Sequence, residues 1–154
     1  MAARDPTHAG RLVTDLILEV FRLNGRLLRT GDRLSRPAGQ TSARWQVLGA
    51  AEDEPRSVAA IARALGLTRQ SVQRIADRLE TDGLVTFLEN PAHRRARLVA
   101  LTGRGRSAFD WITRRQVAWA NYVGQRVGEA NIDRTLKGLR AFGDVLDRSP
   151  IPRR

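Results

Sequence analysis

The chain contains no cysteine, only two histidines and few aromatic residues. Without cysteine it can form no disulfide, thiolate metal site or cysteine-based redox sensor. The histidines, His8 and His93, have no carboxylate cluster near them in sequence, so we expect no metal site. No apolar run approaches the roughly 18 residues of a membrane span, and nothing at the amino terminus resembles a signal peptide. We therefore expect a cytoplasmic protein without a membrane partner.

The usual sequence marks of an enzyme are also missing. There is no glycine-rich phosphate loop, no nucleophile with a plausible general base and no metal-ligand spacing. Asp77 and Glu80 are acidic, but a solvated or arginine-paired role is enough to explain them. We predict that the chain is not an enzyme and needs no cofactor.

Acidic residues are scarce as well, with 16 against 27 basic residues and a formal net charge of +11 over 154 residues. Such an excess favours a polyanionic partner. Nucleic acid fits better than a membrane surface, because no basic amphipathic helix stands apart from the core pattern. The length allows one ordinary domain, or a small domain with an accessory helical layer.

Residues 57–81 show the pattern of caps and apolar spacings that is typical of a helix-turn-helix. Ser57 is placed to cap a first helix, and Gly66 to end it in the left-handed conformation. Thr68 is placed to cap a second helix that runs to Thr81. Apolar residues recur at spacings of three and four along both helices, at Val58, Ile61, Ala62, Leu65, Val72, Ile75, Ala76 and Leu79. The alternative is an ordinary amphipathic surface helix.

A two-stranded wing is predicted to follow, with strands over 84–89 and 96–101 and a basic tip over 90–95. The second helix would present Arg69, Gln70, Gln73 and Arg74 to a major groove, where arginine can fork onto guanine and glutamine onto adenine. Narrow minor grooves attract inserted arginine, which suits the wing.

Long amphipathic patterns flank this core, and a winged unit of about 60 residues cannot bury all of their apolar faces. A second copy of the chain would, so we predict a symmetric homodimer. The predicted fold is mainly α with a small β-hairpin wing. Its parts are a flexible arm (1–9), a dimerisation helix (10–34), a winged helix-turn-helix lobe (41–101), dimerisation helices (102–148) and a tail (149–154).

These motifs together resemble the MarR family, the multiple-antibiotic-resistance regulators, which are bacterial winged-helix transcription factors. The resemblance covers nearly the whole chain, although the terminal helices match in length and placement more than in residues. The matching segments are Trp-Gln-Val-Leu at 45–48, Val-Ala-Ala-Ile-Ala-Arg-Ala-Leu-Gly-Leu-Thr at 58–68, the helix at 72–79, Glu-Thr-Asp-Gly-Leu-Val at 80–85, the wing, Arg-Leu-Val-Ala-Leu-Thr at 97–102 and Gly-Arg at 105–106.

The resemblance implies a dimer that binds a near-palindromic duplex operator, usually as a repressor released by a small ligand. By position it makes 68–74 the base-reading segment and Arg95 the minor-groove arginine. The family commonly has an aspartate two residues before that arginine, and His93 stands there instead, so Arg94 could share the role. The predicted DNA-binding residues are Ser57, Thr68, Arg69, Gln70, Ser71, Gln73, Arg74, Arg78, His93, Arg94, Arg95 and Arg97.

Four aromatic residues, Trp45, Trp111, Trp119 and Tyr122, lie on helices that border a cleft in the family. They could line a pocket for a small effector, although core and interface packing is the more common use of aromatics at helical spacing. For the chain as a whole, the rival hypothesis is an architectural protein that coats DNA without sequence preference.

Overall fold

The computed structural model describes residues 5–93 and 95–149. Arg94, the first four residues of the predicted arm and most of the predicted tail, 150–154, lie outside the described residues. Within these ranges the elements are α1 (His8–Ser35), a short 3-10 helix (Arg36–Ala38), α2 (Ser42–Ala50), β1 (Arg56–Ser57), α3 (Val58–Leu65), α4 (Arg69–Thr81), β2 (Val85–Leu88), β3 (Leu98–Leu101), α5 (Gly103–Val127) and α6 (Glu129–Arg148). The predicted fold class, a winged helix-turn-helix between long terminal helices, is confirmed.

The helix-turn-helix forms where the capping residues place it. Ser57 Oγ accepts from the Ala60 N–H at 3.3 Å, and Thr68 Oγ1 accepts from the Ser71 N–H at 3.1 Å. Gly66 ends α3 at a φ of 65°, the left-handed region that glycine enters without steric cost. The same chemistry moves the start of α1 to His8, because the hydroxyl of Thr7 accepts from the Gly10 N–H at 3.0 Å.

The sheet has three strands rather than the two of the predicted hairpin. Its order is β1-β3-β2, with β3 antiparallel to both neighbours. The hairpin pairs Val85 with Leu101 and Leu88 with Leu98, as expected for a wing. The additional strand, β1, pairs Arg56 with Val99. Two residues are too few to show an alternating pattern, so the sequence gives no sign of this strand.

The core of the winged lobe is built by α2, α3, α4 and the sheet. Its fully buried side chains are Val47, Leu48, Ile61, Val72, Leu79, Val85 and Val99. Ile75 is only partly buried and packs on its edge. Because Val72, Ala76 and Leu79 hold the inner face of α4 in this core, its outer face is fixed toward solvent.

The start of α5 is fastened to the end of α4. Thr102 donates its hydroxyl hydrogen to the Gly83 carbonyl at 2.8 Å and accepts from the Gly105 N–H at 3.1 Å. A side chain on Gly105 would overlap the carbonyl of Leu84. Arg106 also forms an ion pair with Glu52 at 2.6 Å. These contacts hold the wing and the start of α5 in one arrangement.

The chain divides into two compact units, Met1–Thr113 and Arg114–Arg154. Many large apolar side chains on the terminal helices are exposed in the single chain. On α1 they include Leu12, Val13, Leu16, Leu18, Val20, Phe21, Leu23, Leu27 and Leu28, and on α6 they include Ile132, Leu136, Leu139, Val145 and Leu146. No helix in the described ranges is long and apolar enough to cross a membrane.

Candidate nucleic-acid interface

The outer face of α4 carries side chains that the fold leaves free. Arg69, Gln70 and Arg74 are exposed, and within the described part of the chain they form no hydrogen bond or ion pair. Thr68 and Ser71 lie at the amino-terminal end of the same helix, where the Thr68 hydroxyl accepts from the Ser71 N–H. Because Arg69, Gln70 and Arg74 are unpaired among the described residues, this end of α4 has donors that can reach a ligand.

Gln73 differs from these neighbours because its side chain is held by Asp77. Its Nε2 donates to Asp77 Oδ1 at 2.6 Å, one helical turn away. An ionised carboxylate has no hydrogen to donate, so the amide nitrogen of Gln73 faces Asp77 and its carbonyl oxygen points elsewhere. Asp77 thus fixes the orientation of the Gln73 amide.

A concave surface of about 490 Å³ connects α4 with the wing. It brings together Arg69, Gln70 and Gln73 of α4 with Arg95 and Arg97 of the wing. The remaining lining residues are Ser57, Val58, Ala59, Asp77, Glu80, Phe87 and Ala96. Thr68, Ser71, Arg74 and Arg78 are outside this lining. Six of the predicted DNA-binding residues therefore share this surface, namely Ser57, Arg69, Gln70, Gln73, Arg95 and Arg97.

The two described wing arginines have different freedom. Arg97 Nη2 donates to the Phe87 carbonyl at 3.0 Å, and its guanidinium lies 4.8 Å from the centre of the Phe87 ring. Arg95 is exposed and has no such contact with the described residues. Arg97 is therefore fastened to β2, while Arg95 can extend from the tip.

Asn90 braces the wing tip. Its Nδ2 donates to the Ala96 carbonyl at 2.9 Å across the tip, and its Oδ1 accepts from the Ala92 N–H at 3.0 Å. The backbone of His93 adds a bond to the Asn90 carbonyl at 3.1 Å. The His93 imidazole is exposed and forms no hydrogen bond with the described residues. Asn90, rather than the side chain of residue 93, therefore holds the backbone of the wing tip.

The far end of α4 is anchored by Asp82. Arg44 of α2 donates to Asp82 Oδ2 at 2.6 Å, and Arg78 lies 3.6 Å from Oδ1. The hydrogen bond from Arg44 is the main reason that the pKa of Asp82 lies below its ordinary value; partial burial opposes it, and the charges of Arg44, Arg78 and Arg104 add to it. Arg78 is therefore partly engaged in holding the helix as well as available to a phosphate.

The sequence patterns did not identify the residues that hold the site in place, which are Asn90, Arg44, Asp82 and Phe87. Asn90 could have been found, since Asn-Pro is a turn signal and asparagine side chains bond to the backbone two residues on. Arg44 and Asp82 are 38 residues apart, and no local pattern joins them. Phe87 appears in the sequence only as one residue of a strand.

The four aromatic residues considered for an effector pocket are divided between the two units. Trp45 and Trp111 belong to Met1–Thr113 and are half-buried. Trp119 and Tyr122 belong to Arg114–Arg154, where Arg126 stacks 4.4 Å from the centre of the Tyr122 ring. The role of these aromatic residues stays a prediction.

In the described ranges, no group of three or more His, Asp or Glu residues could hold a metal ion.

A sequence model of the MarR family matches residues 38–96, the segment from the end of the α1–α2 connection to the wing tip. Uncharacterized proteins of Mycobacterium tuberculosis and Mycobacterium bovis are 38% identical over 128 residues, covering 83% of this chain and 90% of each relative. The chain belongs to the MarR family. It is therefore a DNA-binding transcription regulator rather than an enzyme, as the sequence predicts.

Further similarities agree with this assignment. The transcriptional activatory protein BadR of Rhodopseudomonas palustris is 29% identical over 140 residues, covering 88% of this MarR-family chain and 79% of BadR. Two solved structures share the fold at low identity. CouR of Rhodococcus jostii bound to p-coumaroyl-CoA has a TM-score of 0.71 at 22% identity, covering 92% and 98% of the two chains. Staphylococcus aureus MarR in complex with salicylate and kanamycin has a TM-score of 0.76 at 11% identity, covering 91% and 95%.

Proposed function

We propose that this MarR-family chain acts as a homodimer that binds a near-palindromic duplex operator sequence-specifically. In each protomer, α4 enters a major groove and Arg95 reaches into the adjacent minor groove. The observation that carries the proposal is the shared concave surface, on which the unpaired donors of Arg69 and Gln70 lie with Arg95. Arg74 continues the exposed face of α4 beside it.

The orientation of the Gln73 amide determines which of its atoms is available to bases in the major groove. With Nε2 bonded to Asp77, the free carbonyl oxygen presents an acceptor to the major groove. Adenine N6 and cytosine N4 are the amino donors exposed there. Gln73 Oε1 can therefore accept from adenine or cytosine, while the second Nε2 hydrogen remains free to donate to another base edge.

The charges on the concave surface favour sequence reading over unspecific coating. Asp77 and Glu80 line it together with three arginines. Carboxylates repel phosphate and so weaken a surface whose only task is to bind the DNA backbone. At a base edge a carboxylate can accept a hydrogen bond from cytosine. The architectural alternative is the weaker one for this reason.

The homodimer is supported by the exposed apolar side chains of α1 and α6. Monomeric proteins rarely expose large contiguous apolar patches, and both helices carry theirs along most of their length. A two-fold pair of chains would remove this surface from water and set the distance between the two copies of α4. As a regulator of transcription the protein would work in the cytoplasm.

Regulation by a small molecule is supported by the solved relatives, since CouR is bound to p-coumaroyl-CoA and S. aureus MarR to salicylate and kanamycin. The candidates for contacting an aromatic effector are Trp45, Trp111, Trp119 and Tyr122.

The resemblance to the family favours repression of transcription. BadR is a transcriptional activatory protein, so activation is the second candidate, and a reporter fused to the regulated promoter would distinguish the two.

The test is a competition binding experiment. A labelled duplex from the region upstream of the protein's own gene is bound, and then displaced by unlabelled upstream duplex or by random-sequence duplex of equal length. A sequence-specific regulator should prefer the upstream duplex by about a thousandfold or more at physiological salt. Equal competition by both duplexes would support the architectural alternative and reject the proposal.

A further inference from the structure

Four arginines lie on one face at the carboxyl-terminal end of α1. Arg26, Arg29 and Arg33 recur at spacings of three and four, and Arg36 continues the series from the helix cap, whose backbone is still helical at φ −51° and ψ −44°. Together with Thr30 and Asp32 they line a concavity of about 580 Å³. We refer to these four residues as the α1 arginine cluster.

The positive charge of the cluster is not neutralised within the described part of the chain. Arg33 donates only to the hydroxyl of Thr30, at 3.3 Å, and the other three guanidinium groups have no hydrogen bond or ion pair there. The one carboxylate of the lining, Asp32, accepts from the Ser42 N–H at 2.7 Å and so caps α2. The lining carries a net charge of +3, four arginines less one aspartate.

The helix dipole does not account for this arrangement. Cations are stabilised within the last turn of a helix, which suits Arg33 and Arg36. Arg26 and Arg29 lie further from Ser35, the last residue of α1. Like charges at spacings of three and four destabilise a helix. The cluster thus costs stability unless an anion binds it.

We propose that the α1 arginine cluster is a binding site for a small organic anion that carries a pyrophosphate-type group. The concavity is within the size range of small-ligand pockets. Guanidinium groups match phosphate oxygens with two parallel hydrogen bonds. A single carboxylate would leave most of the charge unpaired, whereas the two linked phosphates of a pyrophosphate group each carry negative charge and can pair with several of the arginines.

The site is connected to the recognition helix by contacts already described. A side chain on Gly31 would overlap the hydroxyl of Ser42, so α1 and the start of α2 are in close contact. Asp32 holds the first N–H of α2, and Arg44 of α2 holds Asp82 after α4. A bound anion repels Asp32 and changes this connection. Its effect on DNA rests on the proposed function, while anion binding itself does not.

The experiment is isothermal titration of the full-length protein with inorganic pyrophosphate, without DNA and at constant ionic strength. We expect one saturable site per chain for the wild type. The double variant Arg29→Ala/Arg33→Ala should bind about tenfold more weakly or worse, because two forks are lost. The matched control is Arg134→Ala/Arg140→Ala, which removes the same charge from exposed positions on α6 and should bind as the wild type.

Three outcomes would overturn the proposal. They are an absence of saturable binding by the wild type, an unchanged affinity in the Arg29 and Arg33 variant, and an equal loss in the α6 control. If the alanine variant does not fold, Arg29→Lys/Arg33→Lys replaces it; this variant keeps the charge but loses the two-pronged hydrogen bonds, and unchanged affinity would equally count against the site.

A second arm distinguishes a small anion from the DNA backbone. Operator duplexes with and without ten flanking base pairs are titrated with the wild type and the cluster variant. If the cluster contacts flanking DNA, the variant should lose affinity only for the longer duplex, and that result without pyrophosphate binding would reject the small-anion site. Failure of all sequence-specific binding would reject the proposed function and leave the pyrophosphate result intact.

Discussion

Individual residues of the interface differ in how firmly the fold holds them. Gln73 is fixed by Asp77, and Arg97 by Phe87. Arg74 and Arg95 are exposed and form no bond within the described residues. A fixed side chain loses less entropy on binding, whereas a free one can adapt to the groove it enters. Substitution of the free arginines should therefore act on binding and leave the fold intact.

Arg74→Ala tests this at the major groove. The variant should lose about 1–3 kcal/mol of affinity for the preferred duplex and discriminate less at one base pair, because arginine makes its specific contacts to guanine. Anisotropy titrations against the preferred duplex and its single-base variants measure both effects. The control, Arg140→Ala on α6, removes the same charge and should have little effect on discrimination. An identical loss in both variants would show that only net charge matters.

Gly105 is the glycine around which the fold leaves least room for a side chain. A Cβ there would overlap the Leu84 carbonyl, whereas Gly103, two residues earlier, has no atom near the same position. Gly105→Ala should lower the free energy of unfolding by about 1–3 kcal/mol through forced backbone shifts. Gly103→Ala should leave it unchanged or slightly raised, since alanine favours helix. Thermal denaturation of the two variants checks the prediction, and equal melting temperatures would contradict it.

Among the helices, we expect the contact between α2 and the end of α4 to weaken at low pH. Asp82 has a lowered pKa in the folded protein, mainly because Arg44 donates to it. A group of this kind stabilises the fold fully above its unfolded pKa and loses the effect as pH falls through the folded value. Asp82→Asn should therefore be less stable than the wild type near pH 6, and the difference should shrink as the pH falls below about 4.

Melting temperatures of the wild type and Asp82→Asn between pH 6 and pH 3 provide the measurement. Glu80→Gln serves as the control, because Glu80 is exposed at the end of the same helix. A stability difference for Asp82→Asn that stays constant over this range would show that the ion pair does not contribute as described.

The elements also explain which parts of the fold the sequence could predict. Ser57, Gly66 and Thr68 act on residues within one helical turn, so their signals are local and both helices were predicted within a residue or two. The ion pair of Arg106 with Glu52 joins residues 54 positions apart. Such contacts, like the short strand β1, depend on where the core brings segments together. They could not be predicted from periodicity or capping.

In the candidate site, too, the features set by local sequence could be predicted and those set by contacts between side chains could not. The exposed face of α4 was predicted because its residues alternate with a buried stripe of known period. The orientation of Gln73 and the fastening of Arg97 to Phe87 depend on side-chain geometry that residue type alone does not determine. The brace of the wing tip lay in Asn90, three residues from the position where the family resemblance directed attention.

At the scale of the whole molecule, the exposed apolar stripe of α1 predicts the assembly. Leu16 lies on this stripe, whereas Arg22 is exposed on the charged side of the helix, where it pairs with Glu19. Leu16→Glu should weaken the dimer by roughly a hundredfold or more, because a two-fold interface loses the apolar contact twice. Arg22→Glu introduces the same side chain on the charged side and should remain dimeric. Sedimentation equilibrium of both variants measures this, and a monomeric wild type would contradict the proposed homodimer.

Two copies of α4 are expected to read one DNA site together. Selection of bound duplexes from a random-sequence pool by the wild-type protein is the measurement that checks this. We expect an enriched motif with two-fold symmetry and half-sites about one helical turn apart, roughly 10 base pairs. Enrichment of no motif, or of a single half-site without a symmetric mate, would contradict it.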